Sequence, residues 1–307
     1  MGTTLEIQLA LNGEHEQSGL VEPNQLTAAK AQFNQQFGQQ LSQQCNQLIS
    51  ETFERAQSLA RALSFFDPLS LLSQYNRGIL NADSNSLPPQ FSDRIDPRSI
   101  DELKSFREIL GKAKILTERF PRGFILDPIS RGKVDLGGIA KGAVVDDAYD
   151  WMLAELNRRL EKPLAAIGQP AALLSVNAGG DLRLSGAGAV EVRVPNSSGV
   201  EKRYNLQLLG AAVATSSHQG LHMAVGSTAA TYASKFQDHS RAATVSVIAE
   251  TCVWADGFAK IAFQYDLAKC VSPAEAVEFG LQAVLSFDHE GNLISAHEWI
   301  LSADSSV

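Results

Sequence analysis

The segment 135–142, which reads DLGGIAKG, has the residue types of an anion site. Its order is typical of a strand end, a glycine turn and a helix start at Lys141. Glycines let backbone N–H groups approach a ligand, and a helix N-terminus carries partial positive charge, to which Lys141 adds a full charge. The segment is neither a GxxxxGK[ST] nor a GxGxxG motif, so a bound phosphate or pyrophosphate and a ligand-free tight turn stay open as equal alternatives.

Three further segments carry polar groups at element ends. The run 177–181, NAGGD, predicts a two-glycine turn in which the aspartate bonds its own backbone, and we interpret it as structural. The hydroxyls of Thr215 and Ser216 follow a predicted strand at 211–214. Asp256 and Lys260 lie four residues apart near the start of a predicted helix, and that spacing puts them on one helix face.

The elements that position these groups are predicted from hydrophobic periodicity. Helical patterns cover 26–63, 101–120, 141–160 and 252–268, Ser70 caps a short helix, and 81–99 is predicted as a loop. Short alternating runs, typical of strands, follow residue 171. Helices that are segregated from a largely antiparallel sheet predict an α+β fold.

Composition excludes several partners. The 307 residues carry a net charge of −8 without a dense Lys/Arg cluster, so we expect no nucleic acid partner. No apolar run is long enough to span a membrane. The three cysteines predict buried, reduced thiols. The start of the chain lacks signal-peptide features, so we expect the cytoplasm, with an exported precursor as the alternative if the N-terminus was trimmed.

Taken in order, these segments resemble a known family. The likeness starts at residues 1–3 (MGT), continues at 64–68 (SFFDP), 135–146 and 177–186, and includes Thr215-Ser216 and Ala255-Asp256. Together they resemble the FAD:protein FMN transferase family, the ApbE-type flavin transferases, of which the chain would be a diverged member.

The resemblance implies a single ApbE-like domain over 1–307, with a T-fold-like α+β architecture of antiparallel sheets and packed helices. It implies FAD as ligand, transfer of FMN to a Thr or Ser of an acceptor protein (flavinylation), release of AMP, and use of Mg²⁺. The implied cofactor-binding residues are Met1, Phe66, Asp135, Lys141, Thr215 and Ser216. The implied metal ligands are the Gly138 carbonyl and the Asp256 carboxylate, and the implied catalytic residues are Asp256 and Lys260.

The chain departs from the family pattern where the chemistry would occur. Lys260 takes the place of a threonine four residues after the metal-binding aspartate, and its ammonium would repel Mg²⁺, which requires oxygen ligands. A His-DPxTG segment is missing near 231–235, and the block at 122–134 is contracted. We therefore keep two hypotheses: a transferase with an altered site, or a catalytically impaired FAD-binding or nucleotide-binding paralogue. A third, an interaction protein without nucleotide, is suggested only by the Gln-rich stretch 35–47.

Overall fold

The structure is a computed structural model that describes residues 5–10, 25–80, 97–121, 134–166, 173–217 and 242–299. The helices of this part are α1 (Gln25–Ala62), α2 (Leu71–Asn76), α3 (Pro97–Arg119), α4 (Ala140–Ala166), α5 (Cys252–Ile261), α6 (Leu267–Cys270) and α7 (Pro273–Glu278). The strands are β1 (Leu5–Ala10), β2 (Leu173–Ala178), β3 (Asp181–Leu184), β4 (Ala187–Pro195), β5 (Glu201–Leu209), β6 (Ala212–Ser217), β7 (Thr244–Ala249), β8 (Leu281–Phe287) and β9 (Leu293–Glu298).

One large sheet organises the chain. Its seven strands run in the order β1-β2-β3-β6-β7-β8-β9, and every neighbouring pair is antiparallel. Strands β4 and β5 form a separate two-stranded antiparallel ribbon. Helices packed against antiparallel sheets confirm the predicted α+β class.

The central strands β6 and β7 are buried on both faces, because buried residues occupy consecutive positions on them and neighbouring residues point to opposite faces. On β6, Ala212 and Ala214 face the helices and contribute to the main core, which also contains Phe106 and Phe258. Val213, between them, faces a smaller core under the ribbon. Side chains of one strand therefore divide between a helix side and a ribbon side.

Most predicted elements are confirmed, with shifts at their ends. Ser70 caps α2 as expected, because its Oγ accepts a hydrogen bond from the Ser73 N–H at 2.9 Å. The predicted loop 81–99 ends early, since α3 starts at Pro97, a residue whose fixed φ favours the first helical turn. The rest of that loop lies outside the described residues, as does 122–133 of the contracted block.

The prediction of one helix over 252–268 was wrong. Helix α5 ends at Ile261, and α6 starts separately at Leu267. Between them the Phe263 side chain is buried, and the Tyr265 ring packs edge-on against Phe120 with centroids 5.3 Å apart. The apolar pattern continues across the break because both segments face the core.

The cysteine prediction is confirmed in part. Cys45, Cys252 and Cys270 are free, but only Cys252 is fully buried, and burial raises the pKa of its thiol. In the part of the chain that the structure describes, no helix is both long and apolar enough to cross a membrane.

Candidate functional site

The glycine turn leads directly into α4. The Asp135 carboxylate accepts a hydrogen bond from the Gly137 N–H at 2.9 Å, and the Ile139 and Ala140 N–H groups bond the Leu136 carbonyl. Lys141 lies in the first turn of α4, as predicted. The Gly137 amide is satisfied inside the turn, so it is not among the N–H groups free for an anion.

Lys141 forms an ion pair with a strand residue. Its Nζ lies 2.7 Å from Oδ2 of Asp181, the first residue of β3. The other oxygen of Asp181, Oδ1, is buried and accepts no hydrogen bond from the described residues. The interpretation of Asp181 as a turn residue that bonds its own backbone is wrong: the Asn177 Oδ1 closes that turn by accepting from the Gly180 N–H at 3.0 Å.

A second ion pair lies next to the first. On α5 the Lys260 Nζ contacts Asp256 Oδ1, as the four-residue spacing predicts. The other oxygen of Asp256 accepts a hydrogen bond from the Gly142 N–H at 3.1 Å, which ties α5 to α4. We call Lys141, Asp181, Asp256 and Lys260 the four-charge cluster.

The four charges act on one another. Burial raises the pKa of Asp181 to about 6, and the nearby Asp256 carboxylate adds to the rise, although both lysines oppose it. Burial alone would lower the pKa of Lys141, but the Asp256 and Asp181 carboxylates outweigh burial and raise it. Lys141 therefore carries its charge at neutral pH.

The residues of the implied magnesium site do not fit a divalent ion. Mg²⁺ needs several oxygen ligands in near-octahedral geometry. Both Asp256 oxygens are already in contact, one with an ammonium and one with an amide. Across the described ranges, no group of three or more His, Cys, Asp or Glu side chains is arranged to hold a metal. Gly138 is buried in the turn. Its carbonyl and the Asp256 carboxylate are the two metal ligands that the resemblance implies, which is too few for Mg²⁺.

The remaining predicted site residues are not all brought together. Ser216 is buried on the helix side of β6, the face that also carries Asp181 on β3. Thr215 faces the ribbon side, where its hydroxyl lies 2.8 Å from the Ser246 hydroxyl across the β6–β7 pairing. Phe66 is 73% exposed and packs edge-on against Phe65. Met1 lies outside the described residues.

Sequence reasoning missed how α5 is anchored. The N-cap residue of α5, Thr251, makes no side-chain cap hydrogen bond. Instead the buried Asp146 of α4 accepts the Cys252 N–H at 2.9 Å and the Val253 N–H at 2.8 Å. Arg183 contacts the same carboxylate at 3.0 Å. Asp146 thus caps α5 from another helix, a contact that no local spacing could reveal.

Gly142 allows the two helices to approach. A Cβ on Gly142 would lie 2.3 Å from the Cys252 carbonyl oxygen and 2.8 Å from the Val253 Cα. Only glycine fits between these backbones. The close approach brings the Gly142 N–H within reach of Asp256 and so fixes the position of that carboxylate.

Fold and site together define an α+β protein with a buried cluster of paired lysines and aspartates where two helices meet a sheet. The chain matches the ApbE family over residues 1–285, and it therefore belongs to that family. No curated protein sequence matches it.

Solved structures resemble this fold at low sequence identity. The ApbE protein of Thermotoga maritima has a TM-score of 0.50 and 18% identity, covering 82% of this chain and 89% of its own. The flavin transferase ApbE of Vibrio cholerae has a TM-score of 0.49 and 15% identity, covering 96% and 97%. The apo flavinyl transferase ApbE of Pseudomonas stutzeri has a TM-score of 0.47 and 16% identity, covering 96% and 94%.

Proposed function

We propose that this protein binds FAD at the four-charge cluster and transfers FMN from it to a Thr or Ser of an acceptor protein. The observation that carries the proposal is Lys141, whose ammonium is held at the start of α4 over the buried Asp181. A fixed cation at a helix N-terminus is an arrangement suited to a diphosphate. Membership of the ApbE family, and the transferase names of its structural relatives, support the flavin as ligand.

In the proposed reaction the acceptor hydroxyl oxygen forms a bond to the phosphorus of the FMN moiety. The bond between that phosphorus and the bridging oxygen breaks, AMP leaves with the bridging oxygen, and the hydroxyl proton passes to solvent. Negative charge develops on the phosphate oxygens and on the leaving group, and fixed cations stabilise it. Lys141 and Lys260 are the cations that the cluster offers.

A second candidate is FAD binding without transfer. The contact between the Lys260 ammonium and Asp256 Oδ1 favours it, because that carboxylate is no longer free to hold a metal ion. The protein would then be a flavin nucleotide-binding member of the family that retains the fold and the ligand but releases no AMP.

One assay separates the two candidates. Purified protein is incubated with FAD and Mg²⁺, with and without a flavin-accepting protein domain, and AMP is measured by liquid chromatography. AMP above the buffer blank supports transfer, and its absence contradicts transfer. FAD-dependent thermal stabilisation without AMP supports the second candidate. If FAD gives neither AMP nor stabilisation, both candidates fail.

Lysine variants test whether the cluster is the site. Lys141→Ala removes the proposed phosphate contact, so we expect at least about tenfold weaker FAD binding. Lys269→Ala is the matched control, because Lys269 also pairs with an aspartate but its side chain is 83% exposed and outside the cluster. Equal FAD affinity in both variants would place the ligand elsewhere.

A further inference from the structure

The four-charge cluster has its charges in layers. The side chains of Asp181 and Asp256 are each 1% exposed, whereas those of Lys141 and Lys260 are 28% and 14% exposed. Solvent therefore reaches the lysine side chains before it reaches the carboxylates. A ligand that enters from solvent meets the lysine side chains first.

We infer that the Lys260 ammonium is the resident cation of this site, in the position where the family resemblance implies a divalent metal, and that the site accepts the diphosphate of FAD without a metal ion. This inference rests on the proposed FAD binding. It adds that the Lys260 ammonium, and not a metal ion, is the cation next to Asp256.

The charge balance of the cluster supports this assignment. Two carboxylates and two ammonium groups, all with low exposure, form a neutral set. A divalent ion added to this set would leave two uncompensated positive charges in a poorly solvated place, which is strongly unfavourable. The diphosphate of FAD binds outside this set, against the more exposed lysine side chains, where water also solvates its charge.

The contacts of Asp256 support it as well. A metal ion that binds Oδ1 would have to displace the Lys260 ammonium, and Oδ2 already uses one lone pair to accept the Gly142 N–H. Gly142 belongs to the first turn of α4, which packs directly against Cys252 and Val253, so the helix fixes the position of its N–H. The carboxylate is thus held in the orientation in which the ammonium covers its remaining oxygen.

The test uses Mn²⁺ alone, without FAD, and follows binding by electron paramagnetic resonance. We expect no Mn²⁺ binding to the wild type at millimolar concentration. In Lys260→Thr the Asp256 oxygen is uncovered and a hydroxyl is added, so we expect at least about tenfold tighter Mn²⁺ binding. Lys269→Thr, which removes an exposed lysine from a similar helical pair, should behave as the wild type.

Two results would overturn the inference. One is Mn²⁺ binding by the wild type that Asp256→Asn abolishes, since the site would then hold a metal beside Lys260. The other is a folded Lys260→Thr variant, checked by circular dichroism, that still binds no Mn²⁺. The measurement on the wild type stands even if the variant does not fold.

A parallel titration keeps the inference distinct from the proposed function. FAD affinity of the wild type is measured by flavin fluorescence in EDTA and again in Mg²⁺, and the two dissociation constants should agree within about twofold. Binding that occurs only in Mg²⁺ contradicts the inference but supports the proposed function. No FAD binding in either buffer contradicts the proposed function, whereas the Mn²⁺ results remain valid.

Discussion

Two buried aspartates, Asp146 on α4 and Asp181 on β3, differ in how completely their carboxylate oxygens are hydrogen-bonded. Asp146 accepts two backbone N–H groups and the Arg183 guanidinium, so both of its oxygens have partners. Asp181 has the ammonium of Lys141 on one oxygen and no hydrogen bond from the described residues on the other. Complete satisfaction is typical of a structural group, whereas a buried oxygen without a partner indicates a place where a ligand or a proton adds stability.

The comparison predicts that Asp146 matters most for stability. Asp146→Ala leaves two buried N–H groups without their acceptor and removes one of the two carboxylates that contact Arg183, so we expect a loss of about 3–5 kcal/mol in the free energy of unfolding. Urea denaturation measures it. Asp150→Ala is the matched control, because Asp150 also contacts Arg183 at 3.0 Å but is 64% exposed and caps no helix. Asp150→Ala should lower the free energy of unfolding by less than about 1 kcal/mol. Equal losses in the two variants would refute the capping role of Asp146.

Gly142 tests whether the close approach of α4 and α5 is required. A methyl group in Gly142→Ala collides with the backbone of Cys252, so we expect a loss of about 1–3 kcal/mol and a displaced Asp256. Gly111→Ala in α3 meets nothing within 4 Å and should stabilise the protein by about 0.5–1 kcal/mol. Thermal and urea unfolding of both variants measure the contrast. A gain in both variants would show that the two helices can separate at little cost.

Local patterns predicted the fold well and the site unevenly. The Lys260–Asp256 contact follows from helix geometry, since residues four apart share a face. The Lys141–Asp181 pair joins a helix to a strand of the sheet, and no spacing rule connects two such positions. Only the family resemblance placed the segments of Lys141 and Asp181 in one site. The sequence interpretation still treated Asp181 as a turn residue.

Strand alternation explains another difference. With a strand at 211–214, Thr215 and Ser216 were expected together at its end, but β6 continues to Ser217. Neighbouring residues on a strand point to opposite faces, so only Ser216 shares the side of the cluster. The extra length of β6 depends on its pairing with β7, which is a tertiary contact that local sequence does not encode.

Asp181 should make the free energy of unfolding depend on pH. Substitution of Asp146 should leave this dependence in place. Its pKa is about 6 in the folded protein, above the ordinary 3.8, so between these values the folded state keeps a proton that the unfolded state releases. Its contribution to stability is therefore full below the lower pKa and falls as pH rises through the upper one.

Asp181→Asn removes this dependence. The difference in unfolding free energy between wild type and Asp181→Asn should fall from pH 4 to about pH 6 and stay level above that value. Urea denaturation across the range measures it. A difference that rises with pH would mean that the lysines hold Asp181 ionised throughout.

Phe66 should affect ligand binding but not stability, the reverse of Asp146. Phe66 is 73% exposed, so Phe66→Ala removes little buried apolar surface, and we expect a change of less than about 0.5 kcal/mol in the free energy of unfolding. If the ring stacks on a flavin as the family resemblance implies, its loss should weaken FAD binding about three- to tenfold. Leu69→Ala, an 80% exposed apolar residue in the same turn, controls for general loss of apolar surface. Flavin fluorescence titration of both variants decides between stacking and a bystander role, since a bystander would leave the two affinities equal.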